Sequence, residues 1–218
     1  MDSQAGEEFQ SSLSLSVISV ELKGAAGEAV CIHLSDGSSF ILHSEIFART
    51  SLAAGSLLDP DNREDLLSRS ERIMARDRAL LLLSRAAQTR RGLARKLAAR
   101  GFSAQAVRHA VARMAELGYI DDKAFAEAWT RSRLSSRKDG ANALYRGLLA
   151  RGVDRPLAEE VLQEMYPLED ETEAGLILVR GLSKDAAIRR LTGKGFRSRA
   201  NASVLRRIKG RVQEPDGE

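Results

Sequence analysis

Arg95-Lys96-Leu97-Ala98-Ala99-Arg100-Gly101-Phe102 is a stretch that this chain of 218 residues uses three times in related form. It returns as Arg146-Gly147-Leu148-Leu149-Ala150-Arg151-Gly152-Val153 and again as Arg189-Arg190-Leu191-Thr192-Gly193-Lys194-Gly195-Phe196. The aligned glycines are 51 and 43 residues apart. A unit that recurs at such a distance predicts stacked helical modules, which usually present a long binding surface rather than a catalytic pocket.

Each copy of this segment predicts a helix that ends at its glycine and is followed by a second helix. Gly101, Gly152 and Gly195 stand where the first helix stops, and glycine adopts a left-handed C-cap without strain. The preceding Arg or Lys suits the negative end of a helix dipole. Apolar residues ten and thirteen positions after each glycine mark the buried face of the second helix: Val111, Met114, Leu162, Met165, Leu205 and Ile208.

The amino-terminal part predicts a small antiparallel sheet. Apolar and polar residues alternate in residues 18–22 and 30–34, and residues 40–42 form a third short strand. Asp36-Gly37 favours a tight hairpin turn before that third strand. Because three strands alone are only marginally stable, we expect the sheet to pack on the helix that follows it, residues 45–49.

The predicted fold is therefore mainly α, with about three tandem three-helix repeats after a small antiparallel β-sheet. Its predicted parts are a disordered start (residues 1–15), a β-rich extension (16–60), a linker helix (61–75), three repeats (76–120, 121–168 and 169–210) and a tail (211–218). The repeat helices are predicted at residues 78–88, 90–100 and 104–117, at 121–134, 141–151 and 155–165, and at 169–182, 184–194 and 199–210.

Composition excludes several classes of protein. Cys31 is the single cysteine, which rules out an internal disulfide and a cysteine-based metal site. The acidic, polar start carries no secretory signal, and no apolar run approaches the ~20 residues that span a membrane. We therefore expect a cytoplasmic protein that does not contact a membrane.

A catalytic site is not predicted. His33, His43 and His109 stand apart without a surrounding motif, and residues 191–195 lack the spacing of a phosphate-binding loop. The acids of residues 169–173 are interpreted as a helix start, where carboxylates are favourable, rather than as a cation site. The sequence thus indicates no enzyme, no cofactor, no metal and no small-molecule substrate.

Charge is strongly segregated along the chain, although the net charge is only +4. Residues 76–113 hold ten basic residues and one acid, and residues 179–211 hold eleven basic residues and one acid. Between these blocks, residues 156–178 hold seven acids and no base. Two basic blocks that flank an acidic one favour a polyanionic partner over a merely solvated surface.

The arginines of the basic blocks recur at fixed places in the repeats. Arg91 and Arg95 are expected on the helix face opposite Leu93 and Leu97. Stacked repeats would align such side chains into a basic stripe that binds phosphates without reading bases. The alternative is a solvated face whose arginine stems cover apolar surface. The stripe is predicted to contain Arg90, Arg91, Arg95, Lys96, Arg100, Arg131, Arg133, Arg137, Lys138, Arg146, Arg151, Arg189 and Lys194.

Trp129 is the single tryptophan and is predicted to be a core anchor. It lies four residues after Phe125, so both rings share one helix face. A buried aromatic pair accounts for both residues without a base-stacking role.

The segment Leu117-Gly118-Tyr119-Ile120-Asp121-Asp122-Lys123-Ala124-Phe125-Ala126 resembles the L-G-[LY]-I-D-D-x-x-[FY]-A segment of the RecX family of RecA regulators. Two further sets are similar to that family's first and second repeats: Leu80 to Arg85 with Leu93, Lys96, Leu97, Arg100 and Gly101, and Arg131, Arg133, Gly140, Leu144, Leu148, Arg151, Gly152 and Val153. The ordered match covers residues 76–166 closely and 167–210 more loosely. One departure is Lys138-Asp139-Gly140-Ala141, which replaces the family's usual Gly-Pro pair.

This resemblance implies a crescent of three tandem three-helix repeats that binds RecA and the groove of a RecA–single-stranded DNA filament. It also implies a role in DNA repair and the SOS response, where such a protein modulates, and usually inhibits, recombinase activity. The motif residues within this framework are Gly101, Gly118, Asp121, Asp122, Phe125, Trp129, Gly152 and Gly195. From the residues alone, an autonomous helix-turn-helix DNA-binding protein and a protein-only scaffold stay open as alternatives.

Overall fold

The structure, a computed structural model, describes residues 14–24, 27–136 and 139–212. It is mainly α-helical, with an antiparallel sheet near the amino terminus, as the sequence predicts. Most of the predicted disordered start and tail lies outside the described residues, as do Arg137 and Lys138. Leu15, the last residue of that predicted start, already belongs to a strand.

The described sheet has four antiparallel strands, one more than predicted. They are β1 (Leu15–Lys23), β2 (Ala29–Leu34), β3 (Ser39–His43) and β4 (Leu57–Leu58), in the order β3-β2-β1-β4. β4 escapes prediction because two residues are too few to show an alternating pattern. The predicted turn is present, and Gly37 adopts a φ of 82° in it.

The chain divides into two compact units, of which the first contains the described residues up to 81 together with residues 97–114. One face of the sheet packs there against helix α1 (Ser44–Phe47) and against Leu66 of the next helix. The buried residues of this core are Val17, Val30, Ile32, Leu34, Phe40, Leu42, Ile46, Leu58 and Leu66. The sheet is thus stabilised by the helical segments that follow it, as expected.

Helix α2 (Pro60–Arg85) is a single helix of 26 residues, which corrects two predicted boundaries. The linker helix predicted at 61–75 and the repeat helix predicted at 78–88 are one continuous element. Asp59 caps its start by accepting a hydrogen bond from the N–H of Asn62 at 2.8 Å, and proline suits the first helical position. No glycine or proline follows before Arg85, so nothing local forces a break.

The remaining described helices are α3 (Arg90–Ala98), α4 (Ala104–Glu116), α5 (Asp122–Ser136), α6 (Ala141–Arg151), α7 (Arg155–Met165), α8 (Leu168–Leu178), α9 (Lys184–Gly193) and α10 (Ser198–Val212). Their bounds agree with the predictions to within two residues, except that α8 ends four residues early. None of the described helices combines the length and the apolar character that crossing a bilayer requires.

The second compact unit contains residues 82–96 and the chain from residue 115 onward. Helices α5, α6 and α7 enclose an apolar cluster around Leu144, Leu148 and Val161. Helices α8, α9 and α10 enclose another cluster around Leu191 and Phe196. Each of these three-helix groups therefore has a core of its own, which is typical of helical repeats.

Candidate nucleic-acid interface

The helices that carry the repeated segment, α3, α6 and α9, are joined end to end, and we call them the signature helices. At the first junction the Thr89 hydroxyl accepts a hydrogen bond from the N–H of Gly92 at 2.9 Å and donates one to the Arg151 carbonyl at 2.6 Å. The Arg95 guanidinium donates to the Ala150 carbonyl at 3.0 Å. The carbonyl groups at the carboxyl end of α6 that lack a partner within that helix thus accept hydrogen bonds from α3.

A corresponding junction joins the amino end of α6 to the carboxyl end of α9. The N–H groups of Gly140 and Asn142 donate to the carbonyls of Lys194 and Gly195, each at 2.9 Å. The backbones are so close that a Cβ on Gly140 would lie 2.3 Å from the backbone nitrogen of Phe196. The carboxyl end of one helix thus meets the amino end of another at both junctions, which aligns their dipoles favourably.

A buried carboxylate reinforces the second junction. Glu171 of α8 accepts hydrogen bonds from the backbone N–H groups of Ala141 at 2.8 Å and of Arg197 at 2.9 Å. It also pairs with the Arg197 guanidinium, which in turn donates to the Tyr166 carbonyl at 2.9 Å. Burial, assisted by the Glu171 charge, raises the pKa of the Tyr166 hydroxyl to about 12. These contacts fix the helix ends that hold the second and third signature helices.

Part of the predicted basic stripe is exposed and has no acidic partner. Arg90, Arg131, Arg146 and Arg189 are exposed, and none of them forms an ion pair with a carboxylate of the described residues. Arg146 and Arg189 occupy the same position, six residues before the glycine, on consecutive signature helices. Exposed guanidinium groups without a neutralising carboxylate are suited to a phosphate backbone.

Arg91 and Arg95 have structural contacts that the sequence does not reveal. Leu93 and Leu97 are fully buried and both arginines are exposed, as the helix pattern predicts. However, Arg91 pairs with Asp154 at 3.4 Å, and Arg95 belongs to the first junction. Both arginines therefore have partners within the chain, although they face away from the buried leucines.

Several other members of the predicted stripe also have partners within the chain. Asp139 lies 2.8 Å from the Arg133 guanidinium and 3.7 Å from the Lys194 ammonium, so both cations are partly neutralised. Lys96 and Arg100 are exposed and make further contacts. Arg137 and Lys138 lie outside the described residues.

Trp129 is half-buried and packs, together with Phe125, against the apolar cluster of α5, α6 and α7, so it anchors that core from its edge. Its indole packs on α6 at Gly147, where a Cβ would fall 2.3 Å from the ring. The Arg151 guanidinium lies 4.6 Å from the ring centroid and that of Arg133 lies 5.6 Å from it, both cation–π distances. Phe125 is half-buried as well. The spacing of residues along α5 does not reveal that the groups over the Trp129 ring belong to arginines.

The motif residues occupy the structural positions that their types predict. Gly101, Gly118, Gly152 and Gly195 adopt φ angles from 75° to 93° where helices end. Asp121 caps α5 by accepting from the N–H of Ala124 at 2.9 Å. Asp122 has an additional role, because it accepts from the N–H of Arg90 at 2.9 Å and so ties α5 to the start of α3.

The histidines and acids of the described residues do not assemble into a further site. His43 caps α1 by accepting from the N–H of Glu45 at 3.2 Å, and it lies 3.3 Å from Asp77. His33 contacts the Cys31 sulfur at 3.6 Å, and His109 is exposed. No group of three or more histidines, cysteines, aspartates or glutamates in the described chain is placed to hold a metal ion.

Two acids of the interface framework were not singled out from the sequence. Asp139 is part of a predicted helix break, and Glu171 is one of four acids at a predicted helix start. A single acid next to the basic segment 131–138 is a weak signal for an ion-pair partner of Arg133. No signal in the sequence distinguishes Glu171 from its acidic neighbours.

Comparisons with known proteins agree with this architecture. A family model described as the first three-helix domain of RecX matches residues 75–114, and one described as the second three-helix domain of RecX matches residues 121–162. A relative from Streptomyces coelicolor named "Regulatory protein RecX" is 33% identical over 150 residues, which is 66% of this chain and 80% of the relative. A relative of the same name from Thermus thermophilus is 40% identical over 122 residues, or 54% and 80% of the two chains.

Solved structures of similar proteins share the fold. A crystal structure of a regulatory protein RecX has a TM-score of 0.60 and 18% identity, and the match covers 87% of this chain and 98% of that one. RecX from Lactobacillus salivarius has a TM-score of 0.59 and 21% identity, with coverages of 64% and 97%. At these identities the likeness concerns the fold alone.

Proposed function

This chain belongs to the RecX family of regulatory proteins, and we propose on that premise that it regulates RecA by binding RecA–single-stranded DNA filaments. In this proposal it acts by binding and not by catalysis. Occupation of the filament lowers recombinase activity in DNA repair and the SOS response, because a bound regulator blocks filament growth or favours disassembly.

The observation that carries the proposal is the set of exposed arginines that form no ion pair with a carboxylate of the described residues: Arg90, Arg131, Arg146 and Arg189. Arg90, Arg146 and Arg189 lie on the signature helices, whose order is fixed by the two junctions and by Glu171. Arg131 lies on α5, which Asp122 ties to the start of α3. Cations on rigid elements contact phosphates without selecting a base sequence, as a protein that follows a filament of any sequence requires.

The direct test is RecA-driven ATP hydrolysis on single-stranded DNA with increasing amounts of the protein. We expect hydrolysis to fall at substoichiometric protein, because one regulator affects a filament of many RecA subunits. Capture of RecA filaments by the immobilised protein, compared with free RecA and bare single-stranded DNA, then identifies the species that is bound. Unchanged hydrolysis at equimolar protein would remove the regulatory proposal.

The alternative of an autonomous helix-turn-helix protein has a distinct outcome in the same experiments. α4 exposes Gln105 and Arg108, which are residue types that read bases. Sequence-selective binding to duplex DNA in the absence of RecA would favour this alternative. Filament binding that depends on salt but not on DNA sequence would support the RecA regulator.

A further inference from the structure

Two ends of the signature helices take part in neither junction: the amino end of α9 and the carboxyl end of α3. At the amino ends of the signature helices, the cap residues Thr89 and Gly140 are buried by the carboxyl end of the next signature helix. Ser183 holds the corresponding position of α9 and is exposed. The amino end of α9 is therefore exposed, whereas the equivalent ends of α3 and α6 are covered.

At the carboxyl ends, the contrast is equally sharp. A Cβ on Gly152 would lie 2.8 Å from the Cβ of Arg91, and one on Gly195 would lie 2.8 Å from the Cβ of Ala143. A Cβ on Gly101 would meet no atom within 4 Å. Gly101 is exposed whereas Gly152 and Gly195 are buried, so the carboxyl end of α3 is the uncovered counterpart of the other two.

Both uncovered ends keep the features that form the junctions. The Ser183 hydroxyl accepts from the N–H of Ala186 at 3.4 Å, as Thr89 does from Gly92. Ala186 is the same residue type as its counterpart Ala143 of the second junction, where the backbones approach closely, whereas the first junction has Gly92 at this position. Gly101 has a φ of 87°, within the range of its counterparts, so it turns the chain in the same way.

Charge also favours contact between these two ends. Asp185 stands in the first turn of α9, at the position that Arg91 holds in α3, and it is exposed. Arg100 precedes Gly101 and is exposed as well, although it also makes a contact within the chain. In the first junction Arg91 touches the residue that follows Arg151, the counterpart of Arg100. Docking of α3 on α9 would accordingly bring opposite charges together.

We propose that copies of this protein associate head to tail, with the carboxyl end of α3 in one molecule docked on the amino end of α9 in the next. The contact repeats a junction that the chain already forms twice internally. Because the two surfaces differ, the association is heterologous and is not that of a symmetric dimer. A contact confined to helix ends is small, so the association is weak and visible only at high protein concentration.

The test is sedimentation velocity of the full chain without nucleic acid or RecA, over a wide range of protein concentration. Its outcome is thus independent of the proposed regulatory function. We expect the sedimentation coefficient of the wild-type protein to rise steadily with concentration. A coefficient that stays at the monomer value overturns the proposal.

Two variants block the two ends separately. Gly101→Asn keeps the monomer fold, because asparagine tolerates a left-handed backbone and the space around Gly101 is open, but its side chain obstructs docking. Gly118→Asn is the matched control, since Gly118 has a φ of 75° and equally open surroundings at a different helix end. Ala186→Gln obstructs the amino end of α9. We expect Gly101→Asn and Ala186→Gln to weaken association at least tenfold and Gly118→Asn to leave it unchanged.

Mixing the two blocked variants distinguishes a head-to-tail contact from any symmetric one. Each variant alone should stay monomeric, but an equimolar mixture should form heterodimers because each protein retains one working end. A wild-type dimer that neither variant disrupts, or a mixture that behaves as its components do, contradicts the proposal. Circular dichroism of each variant checks folding, and Ala186→Gln keeps the test decisive if Gly101→Asn misfolds. If these ends instead dock on a different protein, the wild-type protein alone will stay monomeric, and that result counts against self-association.

Discussion

Glu171 is a completely buried carboxylate whose hydrogen bonds hold three segments of the second unit together. It binds the N–H of Ala141, the N–H of Arg197 and the Arg197 guanidinium. A buried charge is costly unless it is both paired and hydrogen-bonded, and Glu171 meets both conditions. Its partners lie 30 and 26 residues away in the sequence, which is why a reading of local pattern assigns it only to a helix start.

Glu171→Gln should lower the free energy of unfolding by about 2–4 kcal/mol, because an amide cannot replace the ion pair and turns an N–H toward the Arg197 guanidinium. Urea unfolding followed by circular dichroism measures the change. Glu173→Gln is the matched control on the same helix, since the exposed Glu173–Arg207 pair should contribute no more than about 1 kcal/mol. Equal losses in the two variants would contradict the role assigned to Glu171.

Trp129→Ala should cost about 2–3 kcal/mol of unfolding free energy, which is less than the ~3–5 kcal/mol of a fully buried aromatic ring because Trp129 is half-buried. Trp129→Phe should keep most of the packing on Gly147 and the two cation–π contacts. We expect Trp129→Phe to bind RecA filaments with wild-type affinity, since two guanidinium groups already lie over this ring. A stable Trp129→Ala variant that has lost nucleic-acid binding would instead indicate base stacking.

Secondary-structure elements were predictable where residues close in the sequence determine their boundaries. Thr89, Ser103 and Asp121, which are residue types that favour helix starts, cap helices, and the left-handed glycines end them. The elements that differ from expectation depend on distant partners or lack a local stop. β4 exists because β1 pairs with it, and α2 continues because nothing between its two predicted halves interrupts a helix. The junctions of the signature helices also depend on residues 53 to 62 positions apart.

Gly152→Ala should destabilise the protein by about 1–3 kcal/mol more than Gly118→Ala does. Both substitutions strain a left-handed backbone, since the φ angles are 93° and 75°. Only at Gly152 does the new Cβ also collide with the first junction, 2.8 Å from the Cβ of Arg91 and 3.0 Å from the Thr89 hydroxyl. Thermal or urea unfolding of the two variants gives the difference directly. Equal losses of stability in the two variants would mean that the first junction accommodates the new Cβ without an energetic cost.

For the molecule as a whole, the phosphate-binding class of the candidate site stays a prediction, and the sequence does not reveal which of its cations pair with acids of the chain. Segregated charge and recurring arginines indicate a phosphate-binding surface from the sequence alone. Which cations remain available depends on the acids that folding brings to them, such as Asp154 beside Arg91 and Asp139 beside Arg133. Charge reversal at Arg91 and Arg95 would therefore mix lost binding with a damaged junction. A clean test must use arginines without such partners.

Neutralising Arg131, Arg146 and Arg189 together with glutamine should weaken RecA-filament binding and leave the fold intact. These side chains are exposed and pair with no carboxylate of the described residues, so each change should shift stability by only ~0.5 kcal/mol. Loss of three phosphate contacts should flatten the plot of log affinity against log salt by about two units of slope for single-stranded DNA.

The matched control removes the same amount of charge from arginines that already have partners. Arg49, Arg69 and Arg76 are paired with Glu45, Asp65 and Asp77, and their replacement by glutamine changes the net charge equally. If attraction between net charges alone drives binding, both triple variants should lose affinity and slope alike. If the exposed arginines of the second unit contact phosphates, only their variant should do so. Wild-type affinity and slope in that variant, with its circular dichroism unchanged, would place the docking surface elsewhere on the molecule.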